Sequence, residues 1–166
     1  ARAIESVLRI DAIHATEAKA QVCASLNDGS NLATCDSNNL TLAIRLLADS
    51  WSFIPERGDE WAAAAIEGFL NVDTCDLETA VASVNRAFSP PNRFAEVDTA
   101  NRLSLLSSLA DAWQLCQGKG AEWAATLVES ALDLNTSSPA LAVTSFTVTK
   151  TSSVSTQTTA VVTVTV

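Results

Sequence analysis

Leu47-Ala48-Asp49-Ser50-Trp51, followed by Gly58-Asp59-Glu60-Trp61-Ala62-Ala63, returns 62 positions later as Leu109-Ala110-Asp111-Ala112-Trp113, followed by Gly120-Ala121-Glu122-Trp123-Ala124-Ala125. All four tryptophans of the chain lie in these two copies. The register extends outward: Glu5, Leu8 and Asp11 stand where Glu67, Leu70 and Asp73 stand, and Glu129 and Leu132 follow at the same step. A fixed period of this length predicts a repeat architecture, in which each unit is a small supersecondary block that buries its apolar face against its neighbours.

Within a unit the apolar residues recur at helical spacing. Trp61, Ala65, Phe69 and Val72 form one face of a first helix over 59–72, and Trp123, Leu127, Ala131 and Leu134 repeat it over 121–134. Residues 2–10 supply the end of a third copy. A second helix starts after the N-cap Asp76 and carries the stripe Leu77, Val81, Val84 and Phe88. Its earlier counterpart covers 14–26, and Ser89-Pro90-Pro91-Asn92 closes the later one. A third helix is capped by Asp36 or Asp98 and buries Leu40, Ile44, Leu47 and Trp51, or Leu103, Leu106, Ala110 and Trp113. The fold expected is mainly α: tandem three-helix repeats of period 62 over residues 1–134, with units 1–62, 63–124 and a partial 125–134. Because Ala1 aligns with Ala63 inside a helix, the chain is expected to be a processed product or a piece of a longer array.

Cys23, Cys35, Cys75 and Cys116 are an even set without CxxC spacing, which disfavours zinc and suits disulfides in an oxidising compartment. If the second and third helices of a unit pack antiparallel, Cys75 meets Cys116 and Cys23 meets Cys35, and each bridge would stabilise by about 2–4 kcal/mol. The expected domain is thus a disulfide-stapled helical bundle. Asn39 and Asn135 open glycosylation triplets, in keeping with an exported protein.

The grammar changes after Asn135. All 19 acidic residues lie at or before Asp133, and residues 134–166 carry one charge, Lys150. After a linker at 135–140, residues 141–166 are rich in Val and Thr; Val143 and Val148 lie in one run, while Val162, Val164 and Val166 alternate with Thr in another. Period two and β-branching predict a strand or hairpin tail. Its open edges would pair with another chain. A Ser/Thr-rich stalk is the alternative.

The net charge of −9 repels nucleic acid and anionic membrane surfaces. His14 is the only histidine, and its place at a helix start reads as surface or capping. Asp73, Asp76 and Glu78 lack the EF-hand pattern and read as helix-start acids. Asp59, Glu60 and Glu67, with Glu122 and Glu129 as counterparts, read as a solvated helix face. No GxSxG setting or Gly-rich phosphate loop occurs. No catalytic, metal or cofactor site is therefore expected. Trp51, Trp61, Trp113 and Trp123 read as core packing, with their N–H groups bonded locally.

The run Asn38-Asn39-Leu40, Ile54-Pro55, Gly58-Asp59, an Ala-rich helix and a new acid-capped helix resembles the folded repetitive modules of spider silk proteins, the wrapping-silk type especially. The resemblance covers residues 36–88, with an echo at 98–134. It implies a secreted extracellular structural protein, with small helical bundles in series that assemble with copies of themselves into fibre. The chain differs from that pattern in its four Cys, four Trp and five Gly. The competing expectation is a secreted carrier that holds a small apolar ligand between Trp-lined helices.

Overall fold

The computed structural model describes residues 1–27 and 31–136. Among them are seven α-helices and no strand. In chain order the helices are α1 (Arg2–Leu8), α2 (Ala15–Asn27), α3 (Ser37–Ser52), α4 (Gly58–Leu70), α5 (Leu77–Ala87), α6 (Thr99–Leu115) and α7 (Ala121–Thr136). Short 3-10 turns at Asn31–Thr34 and Arg93–Glu96 precede α3 and α6. The expected tail, with Val143, Val148, Val162, Val164 and Val166, lies outside the described residues, as does most of the linker.

Three helix starts are set by one device. The carboxylates of Asp36, Asp76 and Asp98 accept the backbone N–H of Asn39, Thr79 and Asn101 at 3.0, 2.8 and 2.9 Å. Each satisfies an amide that has no partner inside the helix. The ends of α1 and α4 also share a device. Arg9 (φ 54°) and Asn71 (φ 52°) turn left-handed, and the next residue, Ile10 or Val72, donates to the Glu5 or Glu67 carbonyl at 2.8 Å. In α7 the equivalent residue, Asp133, stays helical and the helix runs on to Thr136.

α4 lies at the centre. It packs against α2 and α3 on one side and α6 on another, so all residues from Trp61 to Leu70 are buried. α3 packs against α6, and α6 against α7. One continuous apolar cluster runs from Leu8 to Ala131. Gly68 permits a close approach of α2 to α4, since a Cβ there would lie 2.4 Å from the Lys19 carbonyl oxygen.

The expected pairing of the second and third helices does not occur. α5 packs on α7 rather than on α6, and α2 packs on α4 rather than on α3. The disulfide expectation falls with it: among the described residues no disulfide joins Cys23, Cys35, Cys75 or Cys116. Cys75 is exposed with its thiol donating to Asp76, whereas the Cys116 thiol is buried and donates to the Asp59 carbonyl at 3.5 Å. The Cys23 thiol donates to Asn71 at 3.5 Å.

Candidate functional site

Two polar clusters in the interior are built from the same residue types. One begins with Glu5 on α1 and the other with Glu67 on α4. Glu5 Oε1 accepts the Trp51 indole N–H at 2.6 Å and a bond from the Arg57 guanidinium. Glu67 Oε1 accepts the Trp113 indole N–H at 2.8 Å and a bond from the Lys119 ammonium. In both clusters the tryptophan stands 46 residues after the glutamate, and the cation 52 after it.

The aromatic part repeats as closely. Trp51 and Trp61 meet edge to face, with centroids 5.1 Å apart at 89°, and Trp113 and Trp123 do so at 5.2 Å and 84°. This is the geometry that the ring quadrupole favours. The Arg57 guanidinium lies 5.2 Å from the Trp51 centroid and 4.6 Å from that of Trp61; Lys119 Nζ lies 5.6 and 5.7 Å from the Trp113 and Trp123 centroids. Each cation therefore faces both a carboxylate and two indoles.

The two clusters differ in depth. Glu67 is 4% exposed and adds a second cation, Lys19, at 3.2 Å from its other oxygen. Lys19 in turn donates to Thr74 at 3.2 Å, fastening α2 to the segment after α4. Burial is the strongest single influence on Glu67 and favours its neutral form. Lys119, Lys19 and the Trp113 N–H together outweigh burial and hold the carboxyl below the usual glutamate range. At Glu5 burial is likewise outweighed, by the hydrogen bonds from Arg57 and Trp51 and the Arg57 charge. Carboxylates held ionised in this way are poor general acids at neutral pH. They work here as locks between helices.

The buried Glu67 corrects the solvated-face expectation. Its neighbours Asp59 and Glu60 open α4, half-buried and exposed, while Glu122 and Glu129 on α7 are exposed. Trp51 and Trp113 are fully buried, and Leu40, Ile44, Leu47, Leu106 and Ala110 are buried; Leu103 is only half-buried. The Trp51 and Trp113 N–H groups are bonded across the fold, not locally. Arg57, Lys119 and Lys19 were not singled out by sequence patterning. The available signal was that Glu5 and Glu67, Trp51 and Trp113, and Arg57 and Lys119 all recur at one offset.

His14 is exposed just before α2, and its carbonyl accepts the Ala18 N–H. Asp73 accepts the Cys75 amide at 3.1 Å, a turn contact. Burial pushes the Cys116 thiol up to about 11. Asn39 is exposed in the first turn of α3, and Asn135 falls in the last turn of α7. No group of three or more His, Cys, Asp or Glu among the described residues is arranged to hold a metal ion. No helix among them is long and apolar enough to cross a membrane.

No family model, curated protein or solved structure matches the chain.

Proposed function

We propose that this chain is a secreted structural protein of extracellular material, whose helical units join into a fibre. The observation that supports this most directly is the repetition of the Glu–Trp–cation lock. One lock ties α1 to α3 and the segment after it, and the other ties α4 to α6 and the segment after it. A contact used twice in one chain at a constant spacing suits a brick that is added in series. The period-62 units of residues 1–134 are those bricks. Residues 141–166 supply strand pairing between neighbours, and the likeness of residues 36–88 to spider silk modules points to the same class of material.

This reading assigns the chain no catalysis, cofactor or metal, and makes its chief partner another copy of itself. Of the four indoles in the carrier reading, Trp51 and Trp113 have no exposed surface and are held by the glutamates of the locks, Trp61 is buried and Trp123 is half-buried. Electron microscopy of concentrated protein tests the proposal. Filaments are expected from the full chain, and deletion of residues 140–166 is expected to abolish or shorten them. A compact monomer at every concentration would refute it.

A further inference from the structure

Glu67 is touched by more positive charge than its own charge balances. Lys119 meets one of its oxygens and Lys19 the other, while the Trp113 N–H bonds the oxygen that Lys119 uses. The two ammonium groups are not held alike. Lys19 stands inside α2, which packs on α4, and its Nζ also donates to Thr74 at 3.2 Å. Lys119 stands on the strap that joins α6 to α7, Cys116-Gln117-Gly118-Lys119-Gly120. Gln117 and Gly118 are exposed; the strap is fastened by the buried Cys116 at its start, by the Lys119 side chain, and by the Gly120 N–H donated to the Trp113 carbonyl at 3.0 Å.

The backbone of this strap can pivot. Lys119 lies between Gly118 (φ 85°) and Gly120 (φ 79°), left-handed conformations that glycine enters and leaves without the penalty a Cβ imposes. The strap of the first lock, Ile54-Pro55-Glu56-Arg57-Gly58, carries Pro55, which fixes a φ angle, and has glycine at its end alone. Its Arg57 and Gly58 amides both donate to the Ile54 carbonyl, at 2.9 and 3.0 Å, whereas the Lys119 amide reaches the Cys116 carbonyl at 3.3 Å. Departure of Lys119 also leaves no orphan behind. Glu67 keeps Lys19 and the Trp113 N–H, so the buried carboxylate remains paired one to one and hydrogen-bonded.

We propose that residues 116–120 are a latch that opens within the intact fold, with Lys119 as its bolt and Lys19 as the charge that lets the bolt leave. In the open state the Lys119 ammonium is in water, the box of Glu67, Trp113 and Trp123 has lost that cation, and α6 and α7 remain packed on each other. The inference is independent of the self-assembly reading.

A brief pulse of succinimidyl acetate on the full chain, with the acetylated lysines mapped by mass spectrometry, tests it. By exposure alone Lys19 reacts first, since its side chain is 25% exposed against 17% for Lys119. The latch reverses that order. Lys119 is expected to be acetylated about tenfold faster than Lys19, at a rate that low urea hardly changes, because a local opening exposes little surface. Lys19→Met gives the sharper contrast. Glu67 then depends on Lys119 alone, opening leaves a buried carboxylate without a cation, and acetylation of Lys119 is expected to fall about tenfold or more although the fold has lost an ion pair. If Lys19 served stability only, its removal would loosen the site and speed the reaction of Lys119. Circular dichroism checks that Lys19→Met remains helical; if it unfolds, the wild-type order and its urea dependence decide the matter. Lys19 reacting first, a Lys119 rate that rises with urea as global unfolding does, or faster acetylation of Lys119 in a folded Lys19→Met would each overturn the latch.

Discussion

Glu67 is the residue whose surroundings depart most from what its charge alone suggests. A carboxylate with 5% of its side chain exposed is tolerable only because Lys119, Lys19 and the Trp113 N–H replace the water it has lost. Glu67→Gln keeps the shape and leaves two ammonium groups facing a neutral amide. It is expected to cost about 3–5 kcal/mol in urea denaturation, since a buried pair is broken from one side. Glu5→Gln, at the shallower lock with Arg57 26% exposed, is expected to cost about 1–2 kcal/mol. An equal loss at the two positions would contradict the difference in depth.

The same pair of glutamates makes stability depend on acid. Both are held below the pKa of a glutamate in the unfolded chain, about 4.3. Their stabilisation is therefore fully present above that value, and is lost as pH falls through the lower folded values. Urea midpoints are expected to be level near neutrality and to drop below about pH 4. In Glu67→Gln the drop is expected to be shallower, because one of the titrating groups has been removed.

At the scale of elements, the contact between α2 and α4 depends on an absence. An alanine Cβ at Gly68 would lie 2.4 Å from the Lys19 carbonyl oxygen and 3.1 Å from the Val22 Cβ. The obstacle is backbone, so α2 as a whole has to move. Gly68→Ala raises helix propensity by about 1 kcal/mol, yet is expected to destabilise by about 1–3 kcal/mol because overpacking outweighs it. A thermal midpoint higher than that of the wild type would show that α2 yields without cost. The helix starts offer a cleaner case. Asp98→Ala removes the acceptor for Asn101 and is expected to cost about 1 kcal/mol with no change in fold.

At the scale of the whole molecule, the core from Leu8 to Ala131 holds together without covalent staples. Dithiothreitol is therefore expected to leave the thermal midpoint unchanged. A thiol reagent is expected to label the exposed Cys35 and Cys75 quickly, and Cys116 only on unfolding, because that thiol is buried and pushed up to about 11. A midpoint that falls with reductant would require bridges that the helix arrangement does not provide.

Much of this was legible in the residues. Period 3.6 and the capping aspartates located the helices, because both signals are local: Asp36, Asp76 and Asp98 each act within three residues of themselves. The glutamates, indoles and cations of the two locks stand 62 positions apart, but the spacing alone did not single out Arg57 or Lys119. Partner choice was not legible. Nothing local distinguishes Glu67, which is buried, from Glu129, which is exposed in the same register, since the difference lies in whether another helix covers that side. Nor does helix order reveal that α2 packs on α4 rather than on α3, or α5 on α7 rather than on α6, which removes the packing on which the cysteine pairing was built. The sequence by itself determined the helices, because propensity, capping and periodicity act along the chain. Only the tertiary structure decided which charges and which thiols are buried, because burial is a property of neighbours that lie far apart in the chain.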